Sequence, residues 1–235
     1  ETVAADAPLV SVSSSLTSKL NVNNKLTLSG SVVADLSGAA VWSISGATVD
    51  LPVISLTPIN TVFVKDNTTV GAVTSSSFLA LAPNVLPARS VLTFALTAIL
   101  TSGISSTSAI EVITNGAPLP GFFSVAPLSG VSMNTSFTFF ASSWTDEDPP
   151  LAYEFSYTDG GTGKLMTVKS KSEASFGVST LPAGIESSGN LVPCGVRVFD
   201  SLAAVETASV SVELKVLKIS SSQLATLITQ QLASG

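Results

Sequence analysis

Histidine is absent from this 235-residue chain, and cysteine occurs once. Without histidine there is no Ser-His-Asp triad, no Cys-His dyad and no His-ligated metal. A single thiol makes neither an internal disulfide framework nor a Cys-x-x-Cys metal site. Charge is scarce as well. Asp, Glu, Lys and Arg supply 11% of the residues, where a typical soluble domain has about 25%. The balance is acidic, with a net charge of −6 and a pI near 4.5, which excludes the basic footprint that nucleic acid needs. Long apolar runs are missing too. The longest, Val91–Leu100, is interrupted by Thr93 and Thr97 and is too short to span a bilayer. No membrane insertion by this segment is expected. The chain opens at Glu1 with no signal-like apolar region, as expected of a processed chain or a piece of a longer one.

What is present is hydroxyl and aliphatic. There are 39 serines and 24 threonines, while 45% of the residues are apolar, enough to build a core. The apolar residues alternate with polar ones. Leu26, Leu28 and Val32 fall on one face, and Lys25, Thr27, Ser29 and Ser31 on the other. Leu92, Phe94, Leu96 and Ala98 repeat the pattern, as do Val210, Val212, Leu214 and Val216. A period of two means strands with one face buried and one turned outward. Turn signals at Ser37-Gly38, Asn115-Gly116, Ser129-Gly130, Asp159-Gly160-Gly161 and Ser188-Gly189 separate the runs. Short strands at this spacing read as β-sandwiches.

The stretch Asn115-Gly116-Ala117-Pro118-Leu119-Pro120-Gly121 is the natural boundary. We therefore expect an all-β chain of two tandem immunoglobulin- or fibronectin-III-like β-sandwiches with a short C-terminal helix. The first sandwich takes residues 1–116, the second 117–217, and the helix 218–235. The two halves share a rhythm. In each, an early strand precedes an aromatic-bearing one, and a late long strand turns back into a last strand, the skeleton of a Greek key. The tail differs, because Ser220 and Gln223 form a capping box ahead of Leu224, Leu227, Ile228 and Leu232 at helical spacing.

In the second half, Trp144-Thr145-Asp146-Glu147-Asp148-Pro149-Pro150-Leu151-Ala152-Tyr153-Glu154-Phe155 stands out. Together with Gly121-Phe122, Pro127-Leu128-Ser129-Gly130 and Thr135-Ser136-Phe137-Thr138-Phe139 before it, the string resembles the receptor-for-egg-jelly (REJ) module of polycystin-like large surface glycoproteins. The junction before it resembles that family's Asn-x-x-Pro-Pro-x-Gly, with Leu119 in place of one proline. The resemblance is strongest from Asn115 to Tyr157. It implies extracellular or cell-surface tandem sandwiches without enzymatic activity. Near-absence of cysteine departs from many members.

Candidate chemistry is sparse. Asp146, Glu147 and Asp148 fall between two strands, and Asp200 and Glu206 flank a later turn. In a sandwich those loops gather at one end, so the five carboxylates are candidates for a Ca²⁺ site. The competing reading is that Asp146 and Asp148 cap turns ahead of a rigid Pro-Pro. No other cofactor is expected. Gly161-Thr162-Gly163-Lys164 lacks the first glycine and the following Ser or Thr of a phosphate loop and reads as a hairpin turn. Alternation points Cys194 inward with Val192, Val196 and Val198. Asn67 and Asn134 head the two N-x-[ST] sequons and are candidate glycosylation sites. Phe140 and Phe199 fall on outward parity and are candidates for a contact patch.

The outward faces say most. Ordinary sandwiches keep them soluble with Lys and Glu; here they carry Ser, Thr and Ala, which gives weak colloidal protection and invites edge pairing. Covalent glycan or neighbouring copies are the remedies. Two functions follow: a non-enzymatic structural glycoprotein, a bead-like building block of a surface fibre, filament or coat; or a ligand-binding or adhesion ectodomain module of a polycystin-like receptor. Expected partners are copies of the chain or neighbouring domains of a longer one, and glycans. A glycosidase working on carboxylates alone needs paired acids in a cleft, and the only acid cluster lies in a loop.

Overall fold

The computed structural model describes residues 7–66, 68 and 70–216. The expected C-terminal helix lies outside the described residues. The chain is all-β, about 56% strand and 3% helix. Its contacts divide it into two units, parted after Gly116.

The first unit contains β1 (Leu9–Ser14), β2 (Leu20–Asn21), β3 (Leu26–Ala34), β4 (Gly38–Ser45), the single-turn helix α1 (Leu51–Ile54), β5 (Asn60–Phe63), β6 (Val73–Leu81), β7 (Val91–Leu100) and β8 (Ser105–Asn115). One sheet has the order β1-β3-β6, the other β2-β8-β7-β4-β5. Every pairing is antiparallel except β2 with β8, which is parallel. Alternation drives the packing. Leu26 and Leu28 of β3 and Leu92, Phe94 and Leu96 of β7 are fully buried between the sheets.

Trp42 of β4 lies at the centre of that core, and its indole N–H donates to Ser77 Oγ at 3.0 Å. Thr61 Oγ1 lies 3.0 Å from the same hydroxyl, so the buried polar atoms satisfy one another. Gly30 makes the arrangement possible. A Cβ there would run into Leu96 and lie 3.0 Å from the Trp42 ring.

The second unit contains β9 (Phe122–Ala126), β10 (Ser129–Val131), β11 (Ser136–Ser142), β12 (Ala152–Thr158), β13 (Leu165–Ser172), β14 (Phe176–Thr180), a 3-10 turn at Glu186–Ser188, β15 (Leu191–Phe199) and β16 (Val205–Lys215). Its sheets have the orders β14-β11-β9 and β10-β16-β15-β12-β13, with β10 parallel to β16. Strand for strand this is the connectivity of the first unit. The core is more aromatic. Phe123, Phe139 and Phe155 have ring centroids 6.1 to 6.4 Å apart, a spacing that favours tilted and offset contacts.

Ser129-Gly130, expected as a turn, is part of β10. Gly130 pairs in register with Leu214, and its missing side chain leaves room for Thr135, which would lie 2.7 Å from a Cβ. Thr135 Oγ1 in turn accepts from the Val131 N–H at 2.8 Å. This glycine serves close packing rather than chain reversal.

Candidate functional site

The β11–β12 and β15–β16 connections meet at one end of the second unit, where the Ser201 N–H donates to the Asp148 carbonyl at 3.0 Å. Carboxylate oxygens of Asp146, Asp148 and Asp200 lie within 4.8 Å of one another there. Glu147 and Glu206 do not join them. Glu147 is exposed between the two aspartates, while the Glu206 carboxylate accepts from the Thr207 N–H at 2.9 Å on β16. Five expected carboxylates thus become three.

Two of the three carboxylates, Asp146 and Asp200, hold turns. Asp146 Oδ1 accepts from the Asp148 N–H at 2.8 Å, an Asx turn ahead of Pro149 and Pro150. Asp200 is only 2% exposed. Its Oδ1 accepts from the Leu202 N–H at 2.9 Å and the Ala204 N–H at 2.8 Å. Its own N–H donates to the Ala204 carbonyl at 3.1 Å. Asp200 is therefore the post around which the last hairpin turns, and these bonds account for its burial. The donors are all hard oxygens, the class that suits Ca²⁺.

The aromatic surface is rearranged relative to expectation. Phe140 is 47% exposed on β11, but Phe199 is 8% exposed and forms no patch with it. The two strands belong to different sheets. Phe199 does face outward, yet Lys171 Nζ lies 4.2 Å and the Arg197 guanidinium 4.9 Å from its ring centroid, so two cations cover it. The neighbours of Phe140 are instead Phe176 of β14, directly opposite in register, and Phe122 of β9, one diagonal away. Phe122 is 74% and Phe176 54% exposed. The outward alternation of β14, Phe176-Gly177-Val178, was the available signal for Phe176. For Phe122 it was the Phe-Phe doublet, of which a strand turns one ring outward.

A family model described as the REJ domain matches residues 3–234. The chain belongs to the REJ domain family. Among solved structures, this REJ domain is similar to murine CEACAM1b, with 11% identity and a TM-score of 0.33 over 89% of this chain and 100% of that one. It is also similar to extracellular cadherin domains 3–6 of protocadherin gamma B2, with 12% identity and a TM-score of 0.30 over 89% of this chain and 50% of that one. A third is the major pilin subunit of Bacillus cereus, with 12% identity and a TM-score of 0.30 over 90% and 69% of the two chains. No curated protein matches the sequence. Among the described residues of the REJ domain, no helix is long and apolar enough to cross a membrane.

The remaining candidates of the REJ domain fall into place individually. Gly161-Thr162-Gly163-Lys164 forms the β12–β13 hairpin turn. Asp159 Oδ2 accepts from the Thr162 hydroxyl at 2.6 Å and the Thr162 N–H at 3.0 Å, and these bonds hold its carboxyl below the usual range. Asn134 is exposed in the turn between β10 and β11; Asn67 lies outside the described residues. Cys194 is buried, and burial pushes its thiol up to about 12 from an ordinary 9.0. The neutral thiol is the buried form, so its contribution to stability is present below pH 9.0 and is lost as pH rises towards 12. Native protein at pH 8 will leave Cys194 unlabelled by iodoacetamide, and denatured protein will label stoichiometrically. Fast labelling of native protein would contradict the burial.

Proposed function

We propose that the chain is a non-enzymatic, extracellular structural module, a pair of beads in a surface fibre or coat, covered by carbohydrate and by neighbouring modules. The observation that carries this reading is the chemistry of the outward faces. On the β1-β3-β6 sheet, Ser11, Ser13, Thr27, Ser29, Thr74 and Ser76 are exposed, and no strand position of that face is ionised. The outward face of the β14-β11-β9 sheet likewise carries Ser, Thr, Ala, Val and Phe. Surfaces so poor in charge resist neither edge pairing nor association unless something covers them. Membership of the REJ family supports the extracellular setting, and exposed Asn134 supports N-linked sugar on the second unit.

The adhesion reading has one observation in its favour, the row Phe122, Phe140 and Phe176, since exposed aromatic rows on monomers mark contact sites. Ca²⁺ at the three aspartates belongs to that reading as a rigidifier of the loop end.

Intact-mass measurement on natively secreted material tests the proposal. The expected mass exceeds the 23.8 kDa of the bare chain, glycosidases remove the excess, and Asn134→Gln removes one N-linked increment. Electron micrographs of the parent assembly are expected to show linear or sheet-like arrays. A bare chain that forms no array overturns it.

A further inference from the structure

The five-stranded sheet of the first unit has an outward face unlike that of an ordinary isolated sandwich. Its strand positions carry Val, Ile, Ala, Ser, Thr and Asn, and a single ionised side chain, Glu111. Val62, Val91, Ile99 and Ile113 are exposed large aliphatics on it. Near its centre Thr97 and Thr107 lie opposite each other, with hydroxyl oxygens 2.8 Å apart. The two hydroxyls share one hydrogen bond, which offsets part of the usual penalty for burying polar groups.

We infer that this face is an isologous interface with a second copy of the chain. The inference rests on the covered-module reading and names the partner for one surface of it. Three observations select a second copy. The face is electrically almost blank, so it offers a charged partner nothing to read, yet it meets its own twin without repulsion. Glu111 lies on β8, opposite Thr93 and one strand to the side of β7, so an in-plane two-fold axis along β7 through Ala95 and Thr97 keeps the two carboxylates apart. The area suffices: strands β5, β4, β7 and β8, at about 4.8 Å spacing and 3.3 Å per residue, cover about 500 Å² in plan. Two copies together then bury at least about 1,000 Å², the lower bound for a biological interface. Small side chains such as Ala95 and Ala109 keep the face level enough for sheet-on-sheet packing at about 10 Å.

The test is sedimentation velocity on the 235-residue chain from about 1 to 500 μM, a span that brackets a dimer of minimal area. The wild type shifts from monomer to dimer across the range. Thr97→Arg places a cation at the centre of the face and raises the dissociation constant at least about 100-fold. Thr107→Lys, at an exposed position, does the same and serves if Thr97→Arg fails to fold. Phe140→Arg, on the second unit, leaves the dimer intact. A wild type that stays monomeric throughout overturns the inference. So does a dimer that survives both threonine variants and is lost in Phe140→Arg, because the interface is then the aromatic row. Either result leaves the covered-module reading standing, since that reading is decided separately by native mass and array formation.

Discussion

Replacing Asp200 by alanine will lower the stability of the second unit by about 3 kcal/mol. The carboxylate accepts from Leu202 and Ala204 while nearly fully buried. Hydrogen bonds to charged groups contribute about 1.5–3 kcal/mol each, and their removal also strands the donors. Asp200→Asn keeps an acceptor oxygen in place without the charge, and it loses about half as much. Denaturant unfolding followed through Trp144, the tryptophan of the second unit, measures both. Adding about 1 mM Ca²⁺, where extracellular Ca²⁺ modules saturate, discriminates between the two roles of the cluster. If capping is the whole role, Asp200→Ala loses the same amount in Ca²⁺ and in EDTA. A loss that grows with Ca²⁺ assigns the cation to Asp146, Asp148 and Asp200. An alanine variant as stable as the wild type refutes the account of the turn.

The second large effect is at Trp144. Its indole is buried at 6% exposure, packs in the aromatic core and donates to the Phe122 carbonyl at 3.3 Å. Beside it Leu119 and Thr145 form an isolated bridge. Gly121 admits this crossing, since a Cβ there would run into the Ser142 carbonyl and lie 2.6 Å from the Trp144 backbone nitrogen. Trp144→Ala removes core volume and that tie together, and it will cost about 3–5 kcal/mol. With the fluorophore gone, exposure of the Cys194 thiol to iodoacetamide across a denaturant series reports the midpoint. An unchanged midpoint would mean that the indole carries no packing load.

These two residues also mark what a reader of the sequence can and cannot see. Long strands announce themselves. Leu26–Ala34, Val91–Leu100 and Leu191–Phe199 alternate over nine or ten residues, long enough for a period of two to stand clear of chance. Leu20–Asn21 and Ser129–Val131 are too short to show any period, so the parallel partners of β8 and β16 are invisible until the sheets are assembled. Parity assigns a side chain to a face but not to its neighbours. Phe199 is outward by parity and still covered, because Lys171 comes from β13, two strands away across β12. The acidic loop was legible as a cluster at one end. Its reduction to three members was not, since spacing along the chain does not show that Glu147 turns to solvent or that Glu206, on β16, bonds the Thr207 N–H instead.

The two short parallel ladders have a further consequence for a protein pulled at both ends. Ser129–Val131, near the start of its unit, runs alongside Glu213–Lys215, near the finish. Tension applied through the two ends slides these strands past each other lengthwise. The bonds from Glu213 to Leu128 and from Ser132 to Lys215 then stretch together instead of opening one after another. Leu20–Asn21 against Thr114–Asn115 repeats the device in the other unit. Each unit thus carries its own shear clamp.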